Sequence, residues 1–162
     1  MFLRTLLALL PIHFSPPHSA VIPQTDDERS VALRVVDLVN AERKTAGCPA
    51  LTVNPELTSA AQAHSVGMQQ RHFFSHVDPD GKQPWDRMLR AGYRYRMAAE
   101  NIGAGFSTPE AMVRGWMHSP GHRENILNCA LEDTGVGYVR DDVEGPPLRW
   151  RAYWTQDFGL GH

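Results

Sequence analysis

The sequence predicts a mixed α/β fold in which helices pack on a small, mainly antiparallel sheet. Three features of the chain support this class. Apolar residues recur at helical spacing near the N-terminal end, and three cap residues followed by proline mark the starts of later helices. Alternating residues near the C-terminus indicate paired strands. Helices combined with a small antiparallel sheet favour a layered α/β packing.

The first helix is predicted over residues 28–46. Its apolar side chains fall at i, i+4, i+7 and i+8, which places them on one helical face. These residues are Val31, Val35, Leu38 and Val39. Gly47 is expected to end the helix, because glycine readily adopts the left-handed conformation that follows a helical C-terminus.

Three later helices are predicted from a cap residue followed by proline. The cap residues are Asn54, Thr108 and Ser119. The cap oxygen accepts a free backbone N–H, and proline has no N–H to leave unpaired. Helices are therefore expected to begin at residues 55, 109 and 120. A further short helix is predicted over residues 85–91.

Strands are expected mainly in the last third of the chain. Alternating side chains predict strands over residues 136–140 and 150–154, and a turn-rich loop over residues 141–147 joins them as a hairpin. Residues 99–102 are a candidate for a third strand. A glycine-containing segment follows that strand at residues 103–105.

Composition indicates one globular domain and argues against a nucleic-acid partner. The chain has 162 residues, of which 42% are apolar and 21% are charged. These values fit a single domain of ordinary size. The net charge is −2, and no basic run exceeds two residues. The electrostatic footprint of a nucleic-acid-binding protein is therefore missing.

The first 20 residues resemble a secretory signal peptide. Arg4 supplies one positive charge, residues 6–10 form an apolar run, and Ser19 and Ala20 offer small side chains for cleavage. The run is too short for a transmembrane helix. We expect residues 1–20 to be a signal peptide, residues 21–30 a leader, and residues 31–160 a secreted, extracellular domain. The alternative is a misassigned start followed by a disordered tail.

The two cysteines, Cys48 and Cys129, allow two interpretations. In an exported chain an even number of cysteines suggests a disulfide. The alternative is a pair of buried free thiols. The sequence contains no CxxC motif and no Cys/His spacing typical of zinc sites, which argues against a thiolate-bound metal.

The histidines are the most informative polar residues. His64 lies among alanines on the inner face of the second predicted helix, so a core histidine with local hydrogen bonds is expected there. His72 and His76 are four residues apart, and so are His118 and His122. Such a pair binds metal only when both residues lie on one helix. Neither pair has that setting, so spacing alone predicts a metal site weakly.

Glu100 is unusual because it lies in an apolar strand segment. A buried carboxylate needs a partner or a ligand. A histidine would serve, and the alternative is a structural salt bridge to Arg87 or Arg123. A serine nucleophile has little support, since no GxSxG motif occurs and the hydroxyl of Ser119 is expected to be occupied as a helix cap.

Ordered motifs over residues 33–159 resemble the bacterial branch of the CAP superfamily, which includes cysteine-rich secretory proteins, antigen 5 and plant pathogenesis-related class 1 proteins. The most specific motif is SPGHRENIL at residues 119–127. The remaining matches are VNAER at 39–43, AQAHS at 61–65, FSH at 74–76, DPDG at 78–81, AGY at 91–93, AENI at 99–102, GWM at 115–117, GVGY at 135–138 and WTQDF at 154–158.

The resemblance implies a three-layer α-β-α sandwich with a small, mainly antiparallel central sheet. It also implies a cleft in which two histidines and two acids can hold zinc or another divalent cation. His76, His122 and Glu100 match three of the four. The second acid is replaced by Ser119, with His118 beside it and Asn125 in the same motif. His118 and Asp157 are candidates to replace that acid.

The resemblance also bears on the cysteines and on function. Cys48 and Cys129 resemble the paired cysteines of some bacterial members, which favours the disulfide. The first functional hypothesis is a secreted, monomeric binding module for a divalent metal or small ligand. Its partner would be a cell-envelope component, a lipid or a protein. The alternative is a metal-assisted hydrolase of peptide or cell-wall polymers, with Glu100 as general base. The third hypothesis is a polar core without ligand.

Overall fold

A computed structural model describes residues 23–140 and 152–162 of the chain. The predicted signal peptide at residues 1–20 and the predicted hairpin loop at residues 141–147 lie outside the described residues. Trp150, the predicted start of the last strand, lies outside them as well.

The described residues form five helices and four strands. The helices are α1 (Asp26–Thr45), α2 (Pro55–Gln70), α3 (Pro84–Ala91), α4 (Pro109–Met117) and α5 (Pro120–Ile126). The strands are β1 (Thr52–Val53), β2 (Tyr95–Ala104), β3 (Asp133–Arg140) and β4 (Ala152–Gly161). Every predicted helix is present, and each cap–proline pair marks a helix start as expected.

Local capping chemistry explains these helix boundaries. Asn54 Oδ1 accepts from the Leu57 N–H at 3.0 Å, and Thr108 Oγ1 accepts from the Ala111 N–H at 3.2 Å. The first helix begins two residues earlier than predicted, because Thr25 and Glu28 exchange side-chain and backbone hydrogen bonds as a capping box.

The sheet has the order β1-β3-β4-β2. Antiparallel pairing of β3 with β4 confirms the predicted strand pair, and β2 extends the sheet on the other side of β4. The strand β1 pairs parallel to β3 and was not predicted, because two residues show no periodicity. The pairing of β2 places Glu100 directly opposite Asp157. The strand β2 lies at the edge of the sheet, and its residues 100–103 are buried.

Helices cover both faces of the sheet, which confirms the three-layer arrangement. On one face α1, α4 and α5 pack on Trp154 and Phe158 of β4. On the other face α2 packs on Tyr153, and α3 closes a second cluster around Met88. Glycine lets α2 approach the sheet closely, because a Cβ at Gly137 would lie 2.3 Å from the backbone of Ala61.

A disulfide and a buried arginine join the loops at one end of the α1 layer. Cys48 and Cys129 are bonded, which confirms the predicted disulfide. Beside it Arg43 is completely buried and donates hydrogen bonds only to backbone carbonyls. Their residues are Pro49, Ile126, Asn128 and Leu131. No sequence pattern pointed to this role of Arg43, because its acceptors are main-chain atoms far away along the chain.

Candidate functional site

The candidate site is built around Glu100 on the edge strand β2. Its side chain is only 1% exposed, and both carboxylate oxygens are hydrogen-bonded. Oε1 accepts from His76 Nδ1 at 2.7 Å, and Oε2 accepts from Arg87 Nη2 at 2.6 Å. The sequence predicts either a histidine or an arginine as the partner of Glu100. Both are present, and the arginine is Arg87.

Arg87 also holds the loop that carries His76. Its Nη1 atom donates to the carbonyl of His76 at 2.9 Å and to that of Lys82 at 3.0 Å. Inside the loop Asp78 Oδ1 accepts from the backbone N–H of Asp80 and of Lys82, which closes a tight turn. One guanidinium from α3 therefore fixes both Glu100 and the backbone of its histidine partner.

The electrostatics keep Glu100 ionised. Burial alone would raise its pKa, but the hydrogen bond from His76 and the charge of Arg87 outweigh burial and hold the pKa below its usual value. An ionised carboxylate requires a donor opposite it, so Nδ1 of His76 carries the proton. In the neutral imidazole the other ring nitrogen, Nε2, then holds a free lone pair. The His76 side chain is 47% exposed, so that atom can meet a ligand.

His64 on α2 packs under the loop that carries His76 and is a core histidine, as predicted. It is 2% exposed, and its Nε2 donates to the carbonyl of Ser75 at 3.0 Å. Burial lowers the pKa of His64 to about 4, so the imidazole is neutral at physiological pH. Its ring packs against Phe73. His64 thus positions the residue that precedes His76.

The second predicted histidine, His122, reaches the site from the opposite layer. It lies on α5, and its carbonyl accepts from Asn101 Nδ2 at 3.1 Å. Asn125 strengthens this junction by donating to Asn101 Oδ1 and to the carbonyl of Glu100. Burial lowers the pKa of His122, and the nearby His76 lowers it further. These bonds attach Asn125 and the backbone of His122 to the edge strand beside Glu100, and His122 lies near enough to His76 for the two imidazoles to interact electrostatically.

His118 and Ser119 lie differently from their predicted roles. His118 Nδ1 donates to the carbonyl of Arg114 at 2.7 Å, and the residue lines a separate recess with Met117 and Glu124. Ser119 is the N-cap residue of α5, but its side chain makes no capping hydrogen bond. The expectation that this hydroxyl is occupied was wrong, because the cap position is set here by backbone conformation and by Pro120.

A recess of about 290 Å³ opens beside His76 and Glu100, between α3 and β2. Its walls are mostly apolar and include Trp85, Met88 and Ala98, with the Gln83 amide as a polar group. Trp85 is 47% exposed. No sequence pattern singles out Trp85, since a tryptophan on a short amphipathic helix is ordinarily a core residue. Its position after the cap of α3 was the available signal.

The site offers fewer free donor atoms, within the described residues, than a zinc ion usually takes from a protein. Zinc sites in proteins use at least three protein ligands. Here both oxygens of Glu100 and Nδ1 of His76 are already hydrogen-bonded, which leaves two imidazole nitrogens, one each from His76 and His122. Across residues 23–140 and 152–162, no group of three or more histidine, cysteine or acidic side chains is placed to hold an ion. The zinc site stays a prediction.

The fold and the recess define a class: an α-β-α sandwich with a histidine–carboxylate site at its edge strand. A model of the cysteine-rich secretory protein (CAP) family matches residues 36–158. The chain belongs to the CAP family, as its motifs indicated.

Two curated relatives come from Bacillus subtilis strain 168. The chain is 40% identical over 125 residues to the protein YkwD, in a match that covers 77% of this chain and 45% of YkwD. It is 30% identical over 135 residues to the membrane protein YlbC, in a match that covers 83% of this chain and 35% of YlbC. The chain therefore spans less than half the length of these two relatives.

A solved structure shows the same architecture. The chain is similar to an extracellular protein containing an SCP domain from Bacillus anthracis, with 32% identity and a TM-score of 0.73. The match covers 85% of this chain and 44% of that one. In the part of the chain that the structure describes, no helix is both long enough and apolar enough to cross a membrane.

Proposed function

We propose that the chain is a secreted CAP-family binding module whose recess at His76, Glu100 and Trp85 recognises a cell-envelope component. The observation that carries the proposal is the pairing of His76 with Glu100. That pairing fixes the imidazole so that Nε2 faces solvent as a hydrogen-bond acceptor. Beside it lies the apolar wall formed by Trp85 and Met88. Recognition sites commonly combine such an apolar surface with a few fixed polar groups.

The state of Glu100 favours binding over hydrolysis. A general base needs contact with the water that it activates and a pKa near the working pH. Glu100 instead accepts hydrogen bonds at both oxygens, and its pKa is held below the usual value by His76 and Arg87 despite burial. This carboxylate is therefore suited to positioning His76 and poorly suited to removing a proton from water.

The chemistry of the recess suggests what a ligand must offer. The Nε2 atom of His76 needs a hydroxyl or amide N–H donor, and the exposed indole of Trp85 needs an apolar face such as that of a sugar ring or a methyl-bearing side chain. Cell-wall polymers carry both kinds of group on one repeating unit. The signal-peptide pattern and the disulfide, which persists in oxidising compartments, support a location where such polymers are reached.

Cosedimentation with purified peptidoglycan sacculi tests the proposal. Wild type should pellet with the sacculi, and His76→Ala and Trp85→Ala should each bind about tenfold more weakly, since each removes one contact worth roughly 1.4 kcal/mol. His118→Ala and Leu89→Ala are matched controls, because His118 lines another recess and Leu89 lies exposed on the same helix as Trp85. Both controls should bind as wild type does.

Two outcomes would contradict this function. Equal binding by all five proteins would show that the recess is not the binding surface. Release of soluble fragments from the sacculi would support the hydrolase alternative. A parallel zinc titration tests the predicted metal site. If zinc neither binds wild type nor raises its Tm, the ligand contacts protein side chains and no metal ion takes part.

A further inference from the structure

Gln83 is a polar residue of the recess, and its backbone rather than its side chain takes part in the start of α3. The backbone N–H of Gln83 donates to Asp86 Oδ2 at 2.9 Å, and its carbonyl accepts from the Asp86 N–H at 3.1 Å. The Gln83 side chain makes no capping hydrogen bond. An amide that offers both donors and an acceptor therefore lines the recess on a fixed backbone.

Trp85 presents a flat apolar surface at the same recess. It follows the buried Pro84 on α3, yet 47% of the residue is exposed. Tryptophan is highly buried on average, because its large ring gains much from leaving water. An exposed indole on a helix that is held at both ends is thus available to a ligand. The best match for it is another flat surface of low polarity.

Met88 and Ala98 form an apolar wall of the recess. Met88 is fully buried, and neither side chain offers a strong hydrogen-bonding group. Glu100, which also lines the recess, is paired with Arg87 at 2.6 Å, so the opposite charges of these two side chains compensate each other. A charged ligand group placed against the wall would lose its hydration without gaining a partner, whereas a methyl group would gain from burial.

The size of the recess limits the ligand to a small unit. Its volume is about 290 Å³. Sites for drug-sized ligands begin at about 300 Å³, so one ring with a short substituent fits better than a long segment of a polymer.

These requirements coincide in a sugar ring that carries an acetamido group. The C–H face of the ring can pack on the Trp85 indole, and the acetamido N–H and carbonyl can pair with the Gln83 amide. The acetamido methyl group suits the wall of Met88 and Ala98. An alanine residue of a peptide offers an amide and a methyl group but no flat face. A plain hexose offers the flat face but neither the amide nor the methyl group.

We infer that the recess takes one N-acetylhexosamine unit of a glycan strand, and that Gln83 is the residue that distinguishes the acetylated sugar from a plain hexose. This inference deepens the proposed function and rests on it, because it names the chemical unit of the cell-envelope component that the recess recognises.

Calorimetric titration of the full chain with two sugar trimers tests the role of Gln83. The trimers contain β-1,4-linked N-acetylglucosamine or β-1,4-linked glucose, so they differ by the acetamido group. Wild type should bind the acetylated trimer about tenfold more tightly. Gln83→Met keeps the side-chain length and removes the amide, so this preference should disappear, since the two amides act as one pair. Gln70→Met, which alters an exposed glutamine at the end of α2, should keep the preference.

NMR of the same samples gives a readout that a merely structural role would not move. The side-chain amide signals of Gln83 and the indole N–H signal of Trp85 should shift when the acetylated trimer is added. Peptide-free glycan strands that contain N-acetylmuramic acid distinguish the source of the sugar. Tighter binding of these strands supports a cell-wall glycan as the ligand, and tighter binding of the trimer supports a polymer of N-acetylglucosamine.

Two results would overturn the inference. One is that wild type binds neither the acetylated trimer nor the glycan strands. The other is that Gln83→Met keeps the preference for the acetylated trimer. Wild type that pellets with sacculi but binds none of these sugars would leave the proposed function intact and refute the N-acetylhexosamine assignment. Wild type that binds the sugars but does not pellet with sacculi would refute the proposed cell-envelope ligand and leave the assignment of Gln83 intact.

Discussion

Two buried arginines, Arg43 and Arg87, hold together two different parts of this molecule. Arg43 has no exposed surface, and its three guanidinium nitrogens donate to four backbone carbonyls beside the disulfide. Arg87 is 9% exposed and divides its hydrogen bonds between two carbonyls and the Glu100 carboxylate.

The difference between these arginines separates a structural junction from a functional site. Around Arg43 the positive charge meets only carbonyl dipoles, and burial lowers the pKa of the guanidinium. The Arg87 guanidinium pairs with the Glu100 carboxylate, and that carboxylate is hydrogen-bonded to the partly exposed His76. A buried arginine that pairs with a carboxylate at the edge of a recess indicates a functional site. A buried arginine that donates to loop carbonyls stabilises the fold.

The largest effect is expected at the junction. Arg43→Met should reduce the free energy of unfolding by about 3–5 kcal/mol, since it leaves several buried carbonyls without donors. Urea unfolding measures this loss. Arg34→Met is the control, because Arg34 pairs with Glu110 on the surface and its side chain is 53% exposed. The control should lose less than about 1 kcal/mol. Equal losses in the two variants would show that Arg43 is no clamp.

A smaller effect is expected from His64, which supports the loop on the Arg87 side. Its folded pKa of about 4 is below the unfolded value of about 6.5, so the unfolded chain takes up a proton first as pH falls. The stability contributed by His64 is present above about pH 6.5 and is lost progressively towards pH 4, by roughly 3 kcal/mol in all. In His64→Gln this part of the pH dependence should disappear from the unfolding curves. A pH profile identical to that of wild type would refute the neutral core assignment.

The smallest change in stability, and the largest change in binding, is expected from Arg87→Lys. Lysine keeps the charge but cannot bond Glu100 and two carbonyls in one planar fork. Stability should fall by about 1–2 kcal/mol, while cosedimentation with sacculi should weaken as in His76→Ala. Arg87 is not a functional-site residue if Arg87→Lys binds sacculi as wild type does. The contrast between the two arginines is also wrong if Arg87→Lys destabilises the fold more than Arg43→Lys.

Much of the fold could be predicted because its signals are local. Cap–proline pairs mark where helices begin, because the capping hydrogen bonds join residues that are three or four positions apart. The strand β1 escaped prediction because its two residues are ordered only by pairing with β3. The pair of Ser119 and Pro120 predicts a capping hydrogen bond to the serine side chain, but that side chain accepts none.

The site could be predicted only in part, for the same physical reason. His76, Glu100 and His122 were identified through motifs, and Arg87 was one of two arginines offered as a partner. The fixed orientation of His76 could not be predicted, because it depends on a loop held by Arg87 and His64 from two helices. The burial of Asp157 behind Glu100 depends on strand register, which no local sequence pattern shows.

The central claim is that Glu100 fixes His76 with its proton on Nδ1 and its Nε2 atom open to a ligand. Nitrogen-15 NMR of the imidazole rings tests it most directly, at a pH where the rings are neutral. We expect His76 to show the Nδ1-protonated tautomer, to lose that preference in Glu100→Gln, and to shift at Nε2 when sacculus fragments are added. A His76 spectrum that matches exposed His72 and does not respond to Glu100→Gln would contradict the account.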